Sequence, residues 1–111
     1  MPEKAFKKVA VMGAGAVGSF FGGMLARAGA EVTLIARGPH LQAMQEDGLF
    51  IDSVRFQEKV PVNPSGDSSA VRGAELILFC VKSLDTDNAA RSMAPHVSPG
   101  AVVLSLQNGV D

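Results

Sequence analysis

The chain has 111 residues, of which 47% are hydrophobic and 19% charged. This length suits one small domain with a single core, and the composition excludes a disordered chain. Ten basic and eleven acidic residues give a formal net charge of −1, and no dense basic stretch indicates nucleic acid. Its one cysteine, Cys80, excludes an intrachain disulfide and fits a reducing compartment. Because no apolar run approaches the roughly 20 residues of a membrane span, we expect a cytoplasmic protein that binds neither membranes nor nucleic acid.

Residues 9–36 predict a strand, a glycine-rich turn, a helix and a second strand. Residues 9–12 form a short apolar run that is typical of a strand buried on both faces. The helix is predicted from apolar residues that recur at helical spacing and form one stripe: Val17, Phe20, Phe21, Met24, Leu25 and Ala28. Gly29 is suited to end that helix, and residues 31–36 form the second strand. Such a unit requires parallel strands with helices that cover the sheet.

The rest of the chain continues the alternation of strands and helices. A second helix is predicted from Gly38 and Pro39 through Gln45, with Gly48 as its stop. The following elements are predicted in order: an antiparallel ribbon from 49–51 and 54–60, a loop at 63–68, a buried strand at 75–81, a helix at 85–93 and a strand at 101–106. Since nothing follows to cover the last strand, we expect the chain to be part of a longer protein.

A Gly-x-Gly-x-x-Gly motif lies between the first strand and the first helix. The motif alone is common, but this position is the one it has in dinucleotide-binding folds. Gly13 would permit the tight turn, Gly15 would let the backbone approach a pyrophosphate, and Gly18 would let the helix pack closely on the strand. The alternative is a glycine-rich turn without a ligand. The predicted pyrophosphate-binding residues are Gly13, Ala14, Gly15, Ala16, Val17 and Gly18.

These elements predict an α/β fold of the Rossmann type. We expect a doubly wound, mainly parallel sheet with helices on both faces, truncated after its last predicted strand. Residues 1–111 are assigned to one nucleotide-binding domain.

Arg37 follows the second predicted strand, where NAD-dependent enzymes of this fold carry a carboxylate for the ribose 2′-hydroxyl. A carboxylate would repel a 2′-phosphate, whereas a guanidinium pairs with it through charge-assisted hydrogen bonds. The alternative is a solvated surface arginine. Its place at the strand end favours the first interpretation, and we predict that the domain binds NADP(H).

Lys82 and Asn108 each follow a predicted strand, at the edge where open α/β sheets bind ligands. Lys82 could hold a substrate carboxylate or stabilise developing negative charge. From spacing alone it could equally be a plain strand-ending lysine, and Asn108 before Gly109 is more typical of a turn.

Other candidate residues are assigned structural roles. Cys80 is expected to be a buried small side chain within its strand. His40 and His96 are isolated beside prolines and are expected at the surface. The five methionines form no metal-binding cluster, and no Ser-His-Asp set or metal site is present.

Four motifs together resemble the ketopantoate reductase (2-dehydropantoate 2-reductase) family: KVAVMGAGAVG at 8–18, VTLIARG at 32–38, CVKS at 80–83 and LQNGVD at 106–111. The family reduces ketopantoate to pantoate with NADPH, a step toward pantothenate and coenzyme A. The resemblance implies that residues 13–18 hold the pyrophosphate and Arg37 the 2′-phosphate. It also implies that Lys82 and Asn108 lie beside nicotinamide and substrate, as cofactor-binding and catalytic residues.

The resemblance also implies that the general-acid lysine and a substrate-binding glutamate belong to a helical C-terminal domain outside this chain. The full-length protein is compatible with a homodimer, and its substrate would be a small 2-oxo acid. Two alternatives remain open. One is another NADP-dependent 2-oxo acid or conjugate dehydrogenase. The other is a stand-alone nucleotide-sensing module, which would have no use for Lys82 and Asn108.

Overall fold

The computed structural model describes residues 6–13, 15–52, 57–81 and 86–106. Its helices and longer strands follow the predicted order. They are β1 (Lys8–Met12), α1 (Ala16–Arg27), β2 (Glu31–Ile35), α2 (Gly38–Asp47), β3 (Leu49–Asp52), β4 (Gln57–Val60), β5 (Asn63–Ser65), β6 (Leu76–Phe79), α3 (Thr86–Met93) and β7 (Val102–Ser105). Two short 3₁₀ turns, Ser68–Val71 and Ala94–His96, connect them.

Five of the described strands form one sheet in the order β5-β2-β1-β6-β7, and each neighbouring pair is parallel. The chain moves outwards from β1 to β2 and β5, and then returns to place β6 on the other side of β1. β3 and β4 form a separate antiparallel ribbon, as predicted. This topology confirms the Rossmann-type doubly wound fold.

The two faces of the sheet bury separate apolar cores, because side chains alternate along each strand. On one face Val11 of β1 and Leu34 of β2 pack with Ala26 of α1 and with the ribbon. On the other face Met12 of β1 packs with Met93 of α3. Helices therefore cover both faces, as predicted. None of the described helices is both long and apolar enough to cross a membrane.

The apolar stripe predicted for α1 packs on the core only in part: Met24 and Leu25 are partly buried against it, whereas the residues nearer the start of the helix are not. Val17, Phe20 and Phe21 are exposed at 54%, 46% and 46%. The buried positions of the helix carry small residues: Gly18, Ser19, Gly22, Gly23 and Ala26. Because α1 lies so close to the strands, small side chains fill the most buried positions, and Val17, Phe20 and Phe21 are left exposed.

The predicted loop at 63–68 is wrong, because its first three residues form β5. Pro64 lies opposite Leu34 in a parallel pairing with β2. A proline is tolerated here because β5 lies at the sheet edge, where the missing N–H removes no ladder hydrogen bond. The next residues form the 3₁₀ turn Ser68–Val71. The carboxylate of Asp67 caps it by accepting the Ser69 N–H at 2.9 Å, which lowers the pKa of Asp67.

β7 occupies the other edge of the sheet, and all four of its residues are exposed. Val102, Val103 and Leu104 are each between 47% and 49% exposed. Because their side chains alternate across the sheet, both faces of this strand are open in the described part of the chain. The described residues therefore leave this edge strand uncovered.

Candidate functional site

A cleft of about 890 Å³ opens at the carboxyl ends of β1, β2 and β6. It lies where β1 is flanked by β2 on one side and β6 on the other, the point at which doubly wound sheets bind ligands. Its volume falls within the roughly 300–1,000 Å³ range of small-molecule and cofactor sites. The described residues that line it are Met12, Gly13, Gly15, Val17, Gly18, Ile35, Ala36, Arg37, His40, Gly66, Ser68, Cys80, Val81, Asn88, Ala89 and Ser92.

The glycine turn forms one wall of the cleft, and two of its glycines are required by packing. Gly13 has φ +89°, and a β-carbon there would lie 2.9 Å from the backbone nitrogen of Val81. A β-carbon on Gly18 would lie 2.9 Å from the carbonyl oxygen of Gly13. At Gly15 a β-carbon would meet nothing within 4 Å, so the backbone there faces open space that a ligand can occupy.

The amino end of α1 points into the same region. Gly15 is the cap residue, no side chain caps the helix, and its first turn carries no acidic residue. The first N–H groups of a helix lack intrahelical acceptors and carry the positive end of its dipole, so they suit a phosphate. Ala14 and the side chain of Ala16 lie outside the described residues. Val17 and Gly18 line the cleft.

Arg37 lies at the far side of the cleft, two residues after β2. It is exposed and immediately precedes α2, whose first turn has no acidic residue. None of the described lining residues is a carboxylate. The cleft therefore joins a turn that suits a phosphate to a cation at its other side.

His40 belongs to the cleft, which sequence reasoning missed. The residue lies in the first turn of α2, and its Nε2 is 3.4 Å from the hydroxyl oxygen of Ser19 on α1. The sequence signal that could have indicated this position is that His40 follows Arg37 by three residues at the start of a predicted helix. His96 lies elsewhere, with its Nδ1 2.8 Å from Nη2 of Arg72. His40 is exposed at the start of α2, and His96 is partly exposed at the end of the second 3₁₀ turn, so both lie at the surface as expected. Each nevertheless has a side-chain partner, which the sequence did not show.

Cys80 also lines the cleft and is half-buried rather than fully buried. It follows β6 instead of lying inside it, since the strand ends at Phe79, and its N–H donates to the carbonyl of Met12 at 2.8 Å. Burial raises the pKa of the Cys80 thiol.

The predicted residues Lys82 and Asn108 lie outside the described residues. Val81, which precedes Lys82, lines the cleft. Leu106, two residues before Asn108, donates its N–H to the carbonyl of Phe79 at 3.0 Å. Within the described ranges no group of His, Cys, Asp or Glu could hold a metal ion.

Comparison with known proteins gives a consistent match along the chain. The sequence profile of the family described as ketopantoate reductase PanE/ApbA matches residues 9–111. The 2-dehydropantoate 2-reductase of Pyrococcus abyssi is 41% identical over 104 residues, which are 93% of this chain and 33% of that protein.

Solved structures agree with the sequence match. A PanE/ApbA family ketopantoate reductase from Ralstonia eutropha superposes with a TM-score of 0.88 and 60% identity, over 92% of this chain and 34% of that one. D-mandelate dehydrogenase, solved with NADH and anilino(oxo)acetate, has a TM-score of 0.76 and 31% identity over 94% of this chain and 34% of its own.

This chain spans about a third of the length of the relatives it matches. Within that third, the profile match extends from β1 to the last residue, and the identity to named family members is high. The resemblance seen in the four motifs is thereby confirmed, and the chain belongs to the ketopantoate reductase family.

Proposed function

We propose that this chain is the N-terminal NADP(H)-binding domain of a 2-oxo acid reductase that converts ketopantoate (2-dehydropantoate) to pantoate. That reaction is a step toward pantothenate and coenzyme A. The observation that carries the proposal is the cleft, which joins the glycine turn at β1 to Arg37 at the end of β2 without a described carboxylate between them.

The residues fit the cofactor in two places. Gly13, Gly15 and Gly18, together with the amino end of α1, would hold the pyrophosphate. The backbone at Gly15 faces open space, Gly13 and Gly18 permit the close packing of the turn, and the N–H groups at the start of the helix suit a phosphate. Ala14, Ala16 and Val17 would complete that turn. Arg37 would pair with the 2′-phosphate, and the absence of a described carboxylate in the lining removes the group that would repel it.

The chemistry we propose is a reduction at the ketone carbon, for which bound NADPH supplies the hydride. Lys82 and Asn108 come after β6 and β7 in the sequence, and we propose that they act beside the nicotinamide. Lys82 would stabilise the negative charge that develops on the ketone oxygen, and Asn108 would orient the reacting groups. The general acid and a substrate-binding carboxylate would come from a helical C-terminal domain.

Two findings support a longer two-domain protein. The relatives are about three times as long as this chain, since it covers 33% of the Pyrococcus abyssi protein. In addition, the described part of the chain leaves all four residues of β7 exposed, and we propose that a second domain covers them. We therefore propose that residues 1–111 alone do not reduce ketopantoate. The net charge and the single cysteine support a cytoplasmic location.

A second candidate is the reduction of a different 2-oxo acid. It is favoured by the likeness to D-mandelate dehydrogenase, which was solved with NADH and anilino(oxo)acetate. Substrate choice would be made largely in the proposed C-terminal domain. Assaying the longer protein with ketopantoate and with aryl 2-oxo acids separates the two candidates.

The cofactor proposal is tested by titrating NADPH and NADH into this chain and its Arg37→Ala variant. A hydrogen bond to a charged group contributes about 1.5–3 kcal/mol, so the variant should bind NADPH roughly 10- to 150-fold more weakly. NADH lacks the 2′-phosphate, and its affinity should change little. Arg72→Ala, which alters an exposed arginine outside the described cleft lining, is the control. Equal weakening of both cofactors by Arg37→Ala, or no weakening, would remove the NADP(H) assignment.

A further inference from the structure

The cleft contains a second basic residue, His40, that the proposed function does not use. His40 is the third residue of α2, and Arg37 immediately precedes that helix. Both residues line the cleft at the carboxyl end of β2. His40 therefore lines the same cleft in which Arg37 is proposed to bind the 2′-phosphate.

Ser19 holds the ring in place. Its hydroxyl oxygen is 3.4 Å from Nε2 of His40, at the long end of hydrogen-bonding distance. Ser19 is 7% exposed and is the fourth residue of α1. If the Ser19 hydroxyl donates to Nε2, the neutral ring carries its proton on Nδ1. The Nδ1–H group can then donate a hydrogen bond to a ligand.

The charges around this position favour an anion. Arg37 is the described cation that lines the cleft beside His40, and the described lining has no carboxylate. Asp67 lies next to the lining residues Gly66 and Ser68, but its carboxylate accepts the N–H of Ser69 and caps the 3₁₀ turn there. The first turn of α2 adds the positive end of a helix dipole without an acidic side chain.

We propose that His40 is a second determinant of cofactor preference, donating a hydrogen bond to the 2′-phosphate beside Arg37, with Ser19 as the residue that positions its ring. This inference rests on the proposed NADP(H)-binding function. It adds a contact that discriminates between cofactors, since NADH presents a ribose hydroxyl where NADPH presents a phosphate.

The test measures the affinities of NADPH and NADH for the wild-type chain and for His40→Ala, His40→Gln and Ser19→Ala. A hydrogen bond to a charged group contributes about 1.5–3 kcal/mol, so His40→Ala should weaken NADPH binding roughly 10- to 150-fold and leave NADH binding unchanged. His40→Gln keeps a donor and should retain part of the preference. Ser19→Ala should lower the NADPH preference less than His40→Ala does.

A second measurement confines the comparison to the adenosine half of the cofactor. Adenosine 2′,5′-bisphosphate and 5′-AMP differ in the 2′-phosphate and lack nicotinamide, so Lys82 and Asn108 are not involved. His40→Ala should weaken the bisphosphate alone. His96→Ala, which changes a histidine outside the described cleft lining, should alter neither ligand. Thermal unfolding of each variant shows whether it is folded.

The possible outcomes distinguish a failure of the proposed His40 role from a failure of the proposed NADP(H)-binding function. If Arg37→Ala abolishes the NADPH preference while His40→Ala and His40→Gln leave it intact, the proposed function stands and the role of His40 is overturned. Equal weakening of both cofactors in folded His40→Ala would also overturn it, because the ring would then only support α2. If the wild-type chain binds NADPH no better than NADH, the NADP(H) assignment and this inference fall together.

Discussion

Gly18 of α1 lies directly against Gly13 of the turn that precedes the helix: a β-carbon on Gly18 would be 2.9 Å from the carbonyl oxygen of Gly13. The same β-carbon would also be 2.9 Å from Cγ1 of Val11, which is fully buried in β1. This close packing draws the first turn of α1 toward the carboxyl end of β1. The close approach of α1 to β1 therefore requires glycine at position 18, and it also places the amino end of the helix beside the turn that we propose to bind the pyrophosphate.

Gly18→Ala should destabilise the fold and weaken cofactor binding together. Overpacking typically costs about 1–3 kcal/mol, while alanine in place of glycine gains about 1 kcal/mol of helix propensity. Since a backbone oxygen must move, we expect a net loss of about 1–2 kcal/mol in the free energy of unfolding, measured by chemical denaturation. Displacement of the turn should also weaken NADPH and NADH equally, because the pyrophosphate is common to both.

Gly22→Ala is the matched control on the same helix. Its β-carbon would lie 2.7 Å from Cδ2 of Leu34 and 3.0 Å from Cγ2 of Val11, so it meets the ends of side chains rather than backbone. These methyl groups can shift further than a carbonyl in the turn, and we expect a stability change within about 1 kcal/mol of zero. A Gly18→Ala chain as stable as Gly22→Ala, with unchanged cofactor binding, would contradict the tight packing at the turn.

The sequence predicted the elements whose signal is local. The glycine turn after β1, the stop at Gly48 and the antiparallel ribbon were found where turn chemistry and alternation indicated them. Helical periodicity predicted α1, but it could not reveal that the small residues rather than the phenylalanines face the sheet. That choice depends on how closely the helix approaches Leu34, which is a tertiary property.

Two further features were inaccessible to local reasoning. β5 contains Pro64 among polar residues and was predicted to be a loop. It forms a strand because β2 offers a partner at the sheet edge. His40 appeared isolated in sequence, yet α1 and α2 bring it to Ser19, 21 positions earlier in the chain. Both features arise from contacts between elements that are distant in sequence, so no short window contains them.

Cys80 offers a direct test of where the cofactor binds, since it is the one cysteine of the chain and it lines the cleft. Because burial raises the pKa of its thiol, little thiolate is present near pH 7.5, and iodoacetamide should react more slowly than with a free cysteine. The rate should continue to rise with pH beyond the range in which an unperturbed thiol is already ionised.

NADPH should protect Cys80 from this reaction. At a concentration about ten times Kd, about one chain in eleven remains free, so the alkylation rate should fall up to about tenfold. Mass spectrometry of the intact chain follows the reaction. The folded chain without NADPH gives the reference rate, and the chain unfolded in guanidinium gives the rate of a fully exposed thiol. Alkylation that is equally fast with and without saturating NADPH would place the cofactor away from the end of β6.

The last prediction concerns the two proposed catalytic residues, and it applies to the longer protein that we propose. Lys82 and Asn108 should affect the chemical step more than cofactor binding, because hydride transfer develops charge on the ketone oxygen close to the ends of β6 and β7. Removing one preorganised group that stabilises such charge costs about 10²–10³ in kcat. We therefore expect Lys82→Ala to lower kcat with ketopantoate by that factor, and Asn108→Ala to lower it less. The dissociation constant for NADPH should change only a few-fold in either variant.

Lys59→Ala, at an exposed position of β4, is the control and should change neither kcat nor the dissociation constant for NADPH. A wild-type kcat in Lys82→Ala would contradict a catalytic role for Lys82. A loss confined to NADPH affinity would show that Lys82 binds the cofactor but takes no part in the reduction.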